Sequence, residues 1–312
     1  MVLVRSGTSV RCTRPDDRYR GERILRKLEP YVYLAPSVIL LVVFIYIPVV
    51  ENLQFSFYNF NPFSITKKFI GLLNYKFLFR DPVFYTALKN NLWYAVISMV
   101  FQVCGGLVVA AILEDKVFRR VSSLFRTVFF LPVLISMSVI GLLFNFLYNP
   151  DGVINQVLKM LGLSHFATGW LGNSHTAIFA VIAVSQWQSV GYIAMLFIVS
   201  IQKIPNEMYE AARIDGATKI QSFFRITVPM VKEMALVTSI VTLSGAFLVF
   251  SEVFILTNGG PGNTSEVLAT YMYHKAFINN QMGYASAIAN VILVITLVLS
   301  VIQMRLFRTG KE

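Results

Sequence analysis

Apolar positions along this chain gather into six long runs, at residues 31–50, 92–113, 127–148, 176–201, 234–257 and 284–304, with most charged residues held in the segments between them. A hydrocarbon core about 30 Å thick takes about 20 residues of helix, and each run is long enough. The runs are continuously apolar and lack the alternation of barrel strands, which span in about ten residues. The pattern predicts an all-α fold: a polytopic membrane protein of six transmembrane helices.

Composition agrees with the bilayer as solvent. The chain has 312 residues, 56% hydrophobic and 14% charged, with a mean hydropathy of +0.64, outside the balance of soluble domains. The first run follows a basic leader, lacks an A-x-A-like site and precedes further runs, so it is expected to be retained. The domain reading is a basic leader at 1–30 and a transmembrane domain at 31–312.

Charge then orients the spans. Six crossings put both termini on one side, together with the loops near 114–126 and 202–232, and that side carries 20 of the 27 Lys and Arg. By the positive-inside rule both termini are cytoplasmic. The same bias accounts for the net charge of +11 without nucleic acid. Arg11 to Lys27 in the leader could also meet anionic lipid or RNA, topology setting being the simpler role.

Several chemistries lack their residues. No G-x-x-x-x-G-K-[ST] loop exists to hold ATP, and neither H-E-x-x-H nor G-x-S-x-G occurs. Gly259-Gly260-Pro261-Gly262 reads as a turn on the outer side. Cys12 and Cys104 fall in the leader and inside a span, and His165, His175 and His274 in outer loops, so no metal cluster is expected. Glu51 and Glu233 sit at span edges, and Glu252 near the outer end of the fifth run is the one acid placed for ion-coupled transport. The energy source is therefore expected on another polypeptide.

Two polar passages remain. In the loop 202–232, Pro205 suits the first turn of a helix and Gly216 the left-handed position just past its end, predicting a helix over 206–215. Met208, Ala211, Ala212 and Asp215 share one of its faces, flat enough for another backbone to approach. A second pattern of Ile220, Phe223, Phe224, Thr227 and Val228 follows before Pro229. This elbow is either a docking element or an interfacial connector. In the fourth run, "SQWQSVGY" places Ser185, Gln188, Ser189 and Tyr192 on one stripe with Trp187 beside them. Polar groups at that depth face either a water-filled path or a neighbouring helix.

Glu210-Ala211-Ala212, Asp215-Gly216-Ala217, Phe223, Ile226 and Pro229 resemble the E-A-A-x-x-D-G-A signature of permease subunits of bacterial ABC importers, with Val228 in place of its Leu. "YLAPSVILLVVFIYIP", "FIGLLNY" and "LTNGGPGNTSEVLATYMYHKAF" extend the resemblance to the maltose and glycerol-3-phosphate branch of carbohydrate importers, from Tyr31 to the last span. The resemblance implies that Glu210, Ala211, Ala212, Asp215, Gly216 and Ala217 form a cytoplasmic coupling helix seated on an ATPase subunit. It implies a homologous second permease, two ATP-binding cassette subunits that bind ATP and magnesium, an external solute-binding protein and a sugar or oligosaccharide. This chain would hold no cofactor, catalyse nothing covalent and sit in the bacterial inner membrane.

In maltose-type permeases an Asn-x-Trp-x-Gly-x-x-Tyr pattern lines the sugar cavity. Trp187 and Tyr192 match it, with Ser185 and Ser189 where the Asn and Gly would be. Thr242, Gly245 and Ala246 of the fifth run would face the same cavity, with Asn145 and Ser136 of the third run more remote. Sugars need amide and hydroxyl partners and aromatic faces, which this set offers. No Lys or Arg falls within the second to sixth runs, which favours a neutral saccharide.

Overall fold

The computed structural model describes residues 31–308 except 32, 64, 65, 116, 117, 119 and 120. The leader 1–30, with Cys12, lies outside the described residues. The chain divides into two compact units at Gln54 and Phe55. Helix α1 (Tyr33–Phe55), nearly all of it in the first unit, is predominantly apolar up to Val50, has a π turn at Val42–Tyr46 and buries no core of its own.

The second unit begins with a short antiparallel hairpin, β1 (Tyr58–Asn59) and β2 (Lys68–Phe69), and helix α2 (Leu73–Leu78). Helix α3 (Pro82–Glu114) is next, followed by a bent pair, α4 (Ser122–Leu134) and α5 (Met137–Leu147). Short α6 (Val153–Met160) leads to α7 (Ala177–Ile201), then α8 (Asn206–Ile214). A second bent pair, α9 (Lys219–Met230) and α10 (Lys232–Leu248), precedes α11 (Ser251–Leu256), α12 (Leu268–Tyr273) and α13 (Met282–Arg308). Four of these helices are long and apolar enough to cross a membrane, or six if each bent pair counts as one crossing. The fold is an all-α, polytopic membrane bundle.

Three expected spans differ from those observed. The second helix starts at Pro82 rather than 92, because the Asp81 carboxylate caps it by accepting the Val83 N–H at 2.9 Å and Pro82 supplies a ready first turn. The 127–148 run is broken by 99° at Ile135 and Ser136, both extended, just past Pro132. The 234–257 run ends as a helix at Leu248, where Val249 turns extended (ψ 126°) and Phe250 leaves helical geometry before α11 restarts. Average hydropathy cannot see these breaks, since the windows around them stay predominantly apolar.

Helix α7 is the axis of the bundle, packing against α4 and the Gly105–Glu114 end of α3. Lipid is as apolar as leucine, so such contacts rest on close approach rather than on hydrophobic expulsion. Gly191 shows the closeness: a Cβ there would lie 1.7 Å from the Phe129 carbonyl oxygen of α4. Around the axis are two apolar clusters, one with Phe84, Val181, Phe247 and Ile288, the other with Phe197, Ile198, Ala110 and Val231.

At the end of the bundle remote from α8, buried polar side chains tie the loops down. Asn91 donates to the Ala246 carbonyl (2.7 Å) and accepts from the Leu268 N–H (2.8 Å), while Asn90 donates to the carbonyls of Thr264 and Glu266 (both 2.8 Å). Asp81 also accepts from the hydroxyls of Tyr271 and, at 2.7 Å, Tyr284. The glycine-rich segment is a turn, with Gly259 at φ 80° and Gly262 at φ 57°. A Cβ on Gly259 would strike the Glu266 carboxylate at 1.6 Å. His274, expected as an isolated loop histidine, instead lies in a π turn with Nδ1 2.9 Å from Glu266 and Nε2 3.1 Å from Asn258.

Candidate functional site

Two regions gather the residues singled out in the sequence. The first is the elbow around α8. Pro205 sits at the N-cap with extended ψ of 132°, not in the first turn, and its carbonyl accepts the Met208 N–H at 3.2 Å. At the other end Gly216 adopts φ 77°, its N–H donates to Arg213 O (3.1 Å), and the Ala217 N–H donates to Ala212 O (2.8 Å). This paired bonding is the Schellman closure that only a left-handed residue permits cheaply. Thr218 then caps α9 in a reciprocal box with Gln221.

Of the expected face, Met208, Ala211 and Asp215 are exposed while Ala212 is half-buried; Glu210 and Ile214 are exposed as well, the latter 87%. The opposite face is anchored. The Tyr209 hydroxyl bonds that of buried Thr227 at 2.9 Å, and Tyr209 packs with Ile226 and Val231 on the second apolar cluster. Lys219 pairs with Asp115 at 2.7 Å, and Gln202 donates to Glu114, which also pairs with Arg126. Tyr209 escaped the sequence reading, although its i, i+3 spacing to Ala212, the other half-buried residue of α8, marks the inward face. The face expected from Ile220 to Val228 is split, since a π turn at Phe223–Thr227 rotates it: Ile220 and Phe224 are exposed while Thr227 is buried.

The second region is a cavity of about 180 Å³ between α3, α7, α10 and α11. Ser185, Ser189 and Tyr192 reach it from α7, and Thr242, Gly245 and Ala246 from α10. Tyr94, Ser98 and Gln102 of α3 join them, and so does Glu252 of α11. Gln188 of the expected stripe and Trp187 expected beside it lie elsewhere. Trp187 is half a turn round the helix and packs edge-on against Phe144 (5.4 Å), while Gln188 donates to the Ile135 carbonyl (3.4 Å) at the break between α4 and α5. Asn145 folds back on the Gly141 carbonyl (2.9 Å), and Ser136 is the exposed N-cap of α5.

The α3 contribution was not foreseen, because Tyr94, Ser98 and Gln102 are four apart within a run that reads as uniformly apolar. That spacing is the signal, one polar residue per turn on a single face. Glu252 enters because the break at Val249 and Phe250 redirects the chain. Gln186, next to the stripe, donates to Ser98 at 3.1 Å and so ties α7 to α3.

A family model described as "Binding-protein-dependent transport system inner membrane component" matches residues 102–309. The Bacillus subtilis (strain 168) protein named "Probable ABC transporter permease protein YurN" is 61% identical over 92% of this chain and 98% of its own length. The arabinooligosaccharides transport system permease protein AraP of Halalkalibacterium halodurans is 33% identical over 92% of this chain and 91% of its own. A solved chain of a bacterial ABC transporter that imports the acidic polysaccharide alginate shares the fold, with a TM-score of 0.81 at 24% identity, covering 94% of this chain and all of that one. With a polar cavity inside a membrane bundle and an elbow helix at one end, the chain belongs to the family of inner membrane components of binding-protein-dependent transport systems.

Proposed function

We propose that this permease forms, with a homologous second permease, the path by which an ATP-driven importer of the bacterial inner membrane admits a sugar or oligosaccharide. The carbohydrate class rests on relatives such as the arabinooligosaccharide permease and on the cavity's hydroxyl and amide lining. Two cytoplasmic ATP-binding cassette subunits, holding ATP and magnesium, would supply the energy, and an external binding protein the substrate. Both termini face the cytoplasm in this reading, as the charge bias requires.

The observation that carries the mechanism is the two-sided elbow. Glu210, Ala211, Ala212 and Asp215 with Gly216 and Ala217 form the docking unit, exposed on one side, while Tyr209 fastens its other side to Thr227. Closure of the ATPases moves α8 as a rigid lever, α9 and α10 follow, and the bundle passes between inward- and outward-open states around the cavity at Ser185, Ser189, Tyr192, Thr242, Gly245 and Ala246. Trp187 and Gln188 act on this path through α5 and the α4–α5 break rather than as part of the cavity wall.

The test is ATPase activity of the assembled complex in lipid, with binding protein and a panel of oligosaccharides, comparing wild type with Glu210→Ala. Stimulation by a saccharide, weakened in the variant, is expected. Uptake that follows an ion gradient without ATP would overturn the reading.

A further inference from the structure

We infer that Glu252 makes the cavity an anion-excluding subsite, so that the saccharide it passes bears no carboxylate or phosphate; this rests on the carbohydrate reading above. A carboxylate lines the cavity, and no Lys, Arg or His does. Among the described residues Glu252 makes no ion pair and takes no hydrogen bond from another side chain. Its carboxylate, which takes a hydrogen bond from its own backbone N–H, therefore meets the cavity without a countercharge in the lining, and in a low-dielectric chamber one unit charge governs which ions enter.

The surroundings point to a ligand rather than to a structural carboxylate. Tyr94 is 3% exposed and Thr242 5%, yet the Tyr94 hydroxyl and Thr242 Oγ1 lack hydrogen-bond partners. The Tyr94 hydroxyl interacts with the Ser185 side chain at longer range than a formed hydrogen bond and lies within electrostatic reach of Glu252. Unsatisfied buried hydroxyls are costly and are commonly completed by water or ligand. Here a sugar hydroxyl can accept from Tyr94 or Thr242 and donate to the Glu252 carboxylate, which has acceptor capacity only. An ionised carboxylate or phosphate group in that place cannot donate in that way, and its charge is repelled.

The fold makes this placement deliberate in space. Had α10 run on as a helix through residue 252, no restart would direct that residue inward. The break at Val249 and Phe250 does so, and it is fixed by Phe250 stacked on Phe254 (5.0 Å) and by Val253, which is fully buried.

The experiment reads charge selectivity in the assembled importer in proteoliposomes. Ser189→Cys is made in a Cys12→Ser, Cys104→Ser background and labelled with the cationic trimethylammonioethyl or the anionic sulfonatoethyl methanethiosulfonate. Any effect of Glu252 on thiol ionisation slows both reagents alike, so their ratio isolates the field. The cation-to-anion rate ratio should fall by about tenfold or more in Glu252→Gln and Glu252→Met, two replacements so that assembly of either suffices, and persist in Glu252→Asp. A ratio unchanged by the neutral replacements overturns the inference, including the case in which a partner-permease cation already neutralises Glu252. Protection of Ser189→Cys by neutral arabinotriose but not by trigalacturonate supports it further. Absence of protection by any oligosaccharide, with the ratio still set by Glu252, would instead remove the carbohydrate reading and leave the anion-excluding cavity standing.

Discussion

The hydroxyl of Tyr209 on α8 lies 2.9 Å from that of Thr227, eighteen residues on, where the π turn of α9 meets the bundle. Thr227 is 5% exposed, so the bond joins a surface helix to the core. A movement imposed on α8 thus has a short route to α10. Tyr209→Phe keeps the ring's packing on Ile226 and Val231 and removes the bond, worth about 1 kcal/mol. The expected result is unchanged insertion with less substrate moved per ATP hydrolysed, measured by parallel uptake and phosphate release in proteoliposomes. An unchanged ratio would mean that the lever works through apolar contact alone.

Asn91 is fully buried and serves two backbone groups from different elements, Ala246 O at the end of α10 and Leu268 N at the start of α12. Asn91→Leu fills the space but orphans both, a cost of about 3 kcal/mol. Thermal unfolding in detergent should show a clear loss for Asn91→Leu and almost none for Leu92→Ala, whose side chain is 58% exposed.

Asp81 makes the end of the bundle remote from α8 sensitive to acid. Burial alone would raise its pKa, but the hydroxyls of Tyr271 and Tyr284 with the Val83 N–H outweigh it and hold the carboxyl below its ordinary value. A depressed folded-state pKa contributes stability above the unfolded value, lost as pH falls through the folded one. Wild type should therefore lose stability on acidification below the ordinary carboxylate range more steeply than Asp81→Asn, as followed by intrinsic fluorescence. Parallel slopes for the two proteins would place the acid sensitivity elsewhere.

What the sequence disclosed follows from what it encodes locally. Length and apolarity of the runs announced the spans, and Gly216 with its flanking pattern announced the elbow, because a left-handed residue after an amphipathic turn has few other uses. The breaks at Ile135 and Val249 were hidden, since an apolar residue is equally at home in a helix or an extended link when both are buried. Trp187 was placed beside the stripe and matched to the maltose-type pattern, although 100° per residue sends it to the far side of α7 from Ser185. Tyr94, Ser98 and Gln102 were passed over because hydropathy averages erased a one-per-turn polar ridge. Glu252 was seen, but its place in the cavity depends on a break that no periodicity reported.

Gly216 separates backbone geometry from side-chain space at the elbow. Nothing lies within 4 Å of the position a Cβ would take, so any penalty for substitution comes from φ of 77° alone. Gly216→Ala should then cost about 1 kcal/mol and Gly216→Asn less, since asparagine tolerates the left-handed region. Gly216→Pro cannot reach positive φ and also removes the N–H that donates to Arg213 O at 3.1 Å. It should unwind the end of α8, displace Asp215 and Ala217, and abolish uptake while membrane insertion persists. The graded order, glycine above asparagine above alanine above proline, is what ATP-driven uptake in membrane vesicles should return. Equal activity across the series would show that the elbow's shape is not transmitted to the bundle, and the docking role of α8 would fall with it.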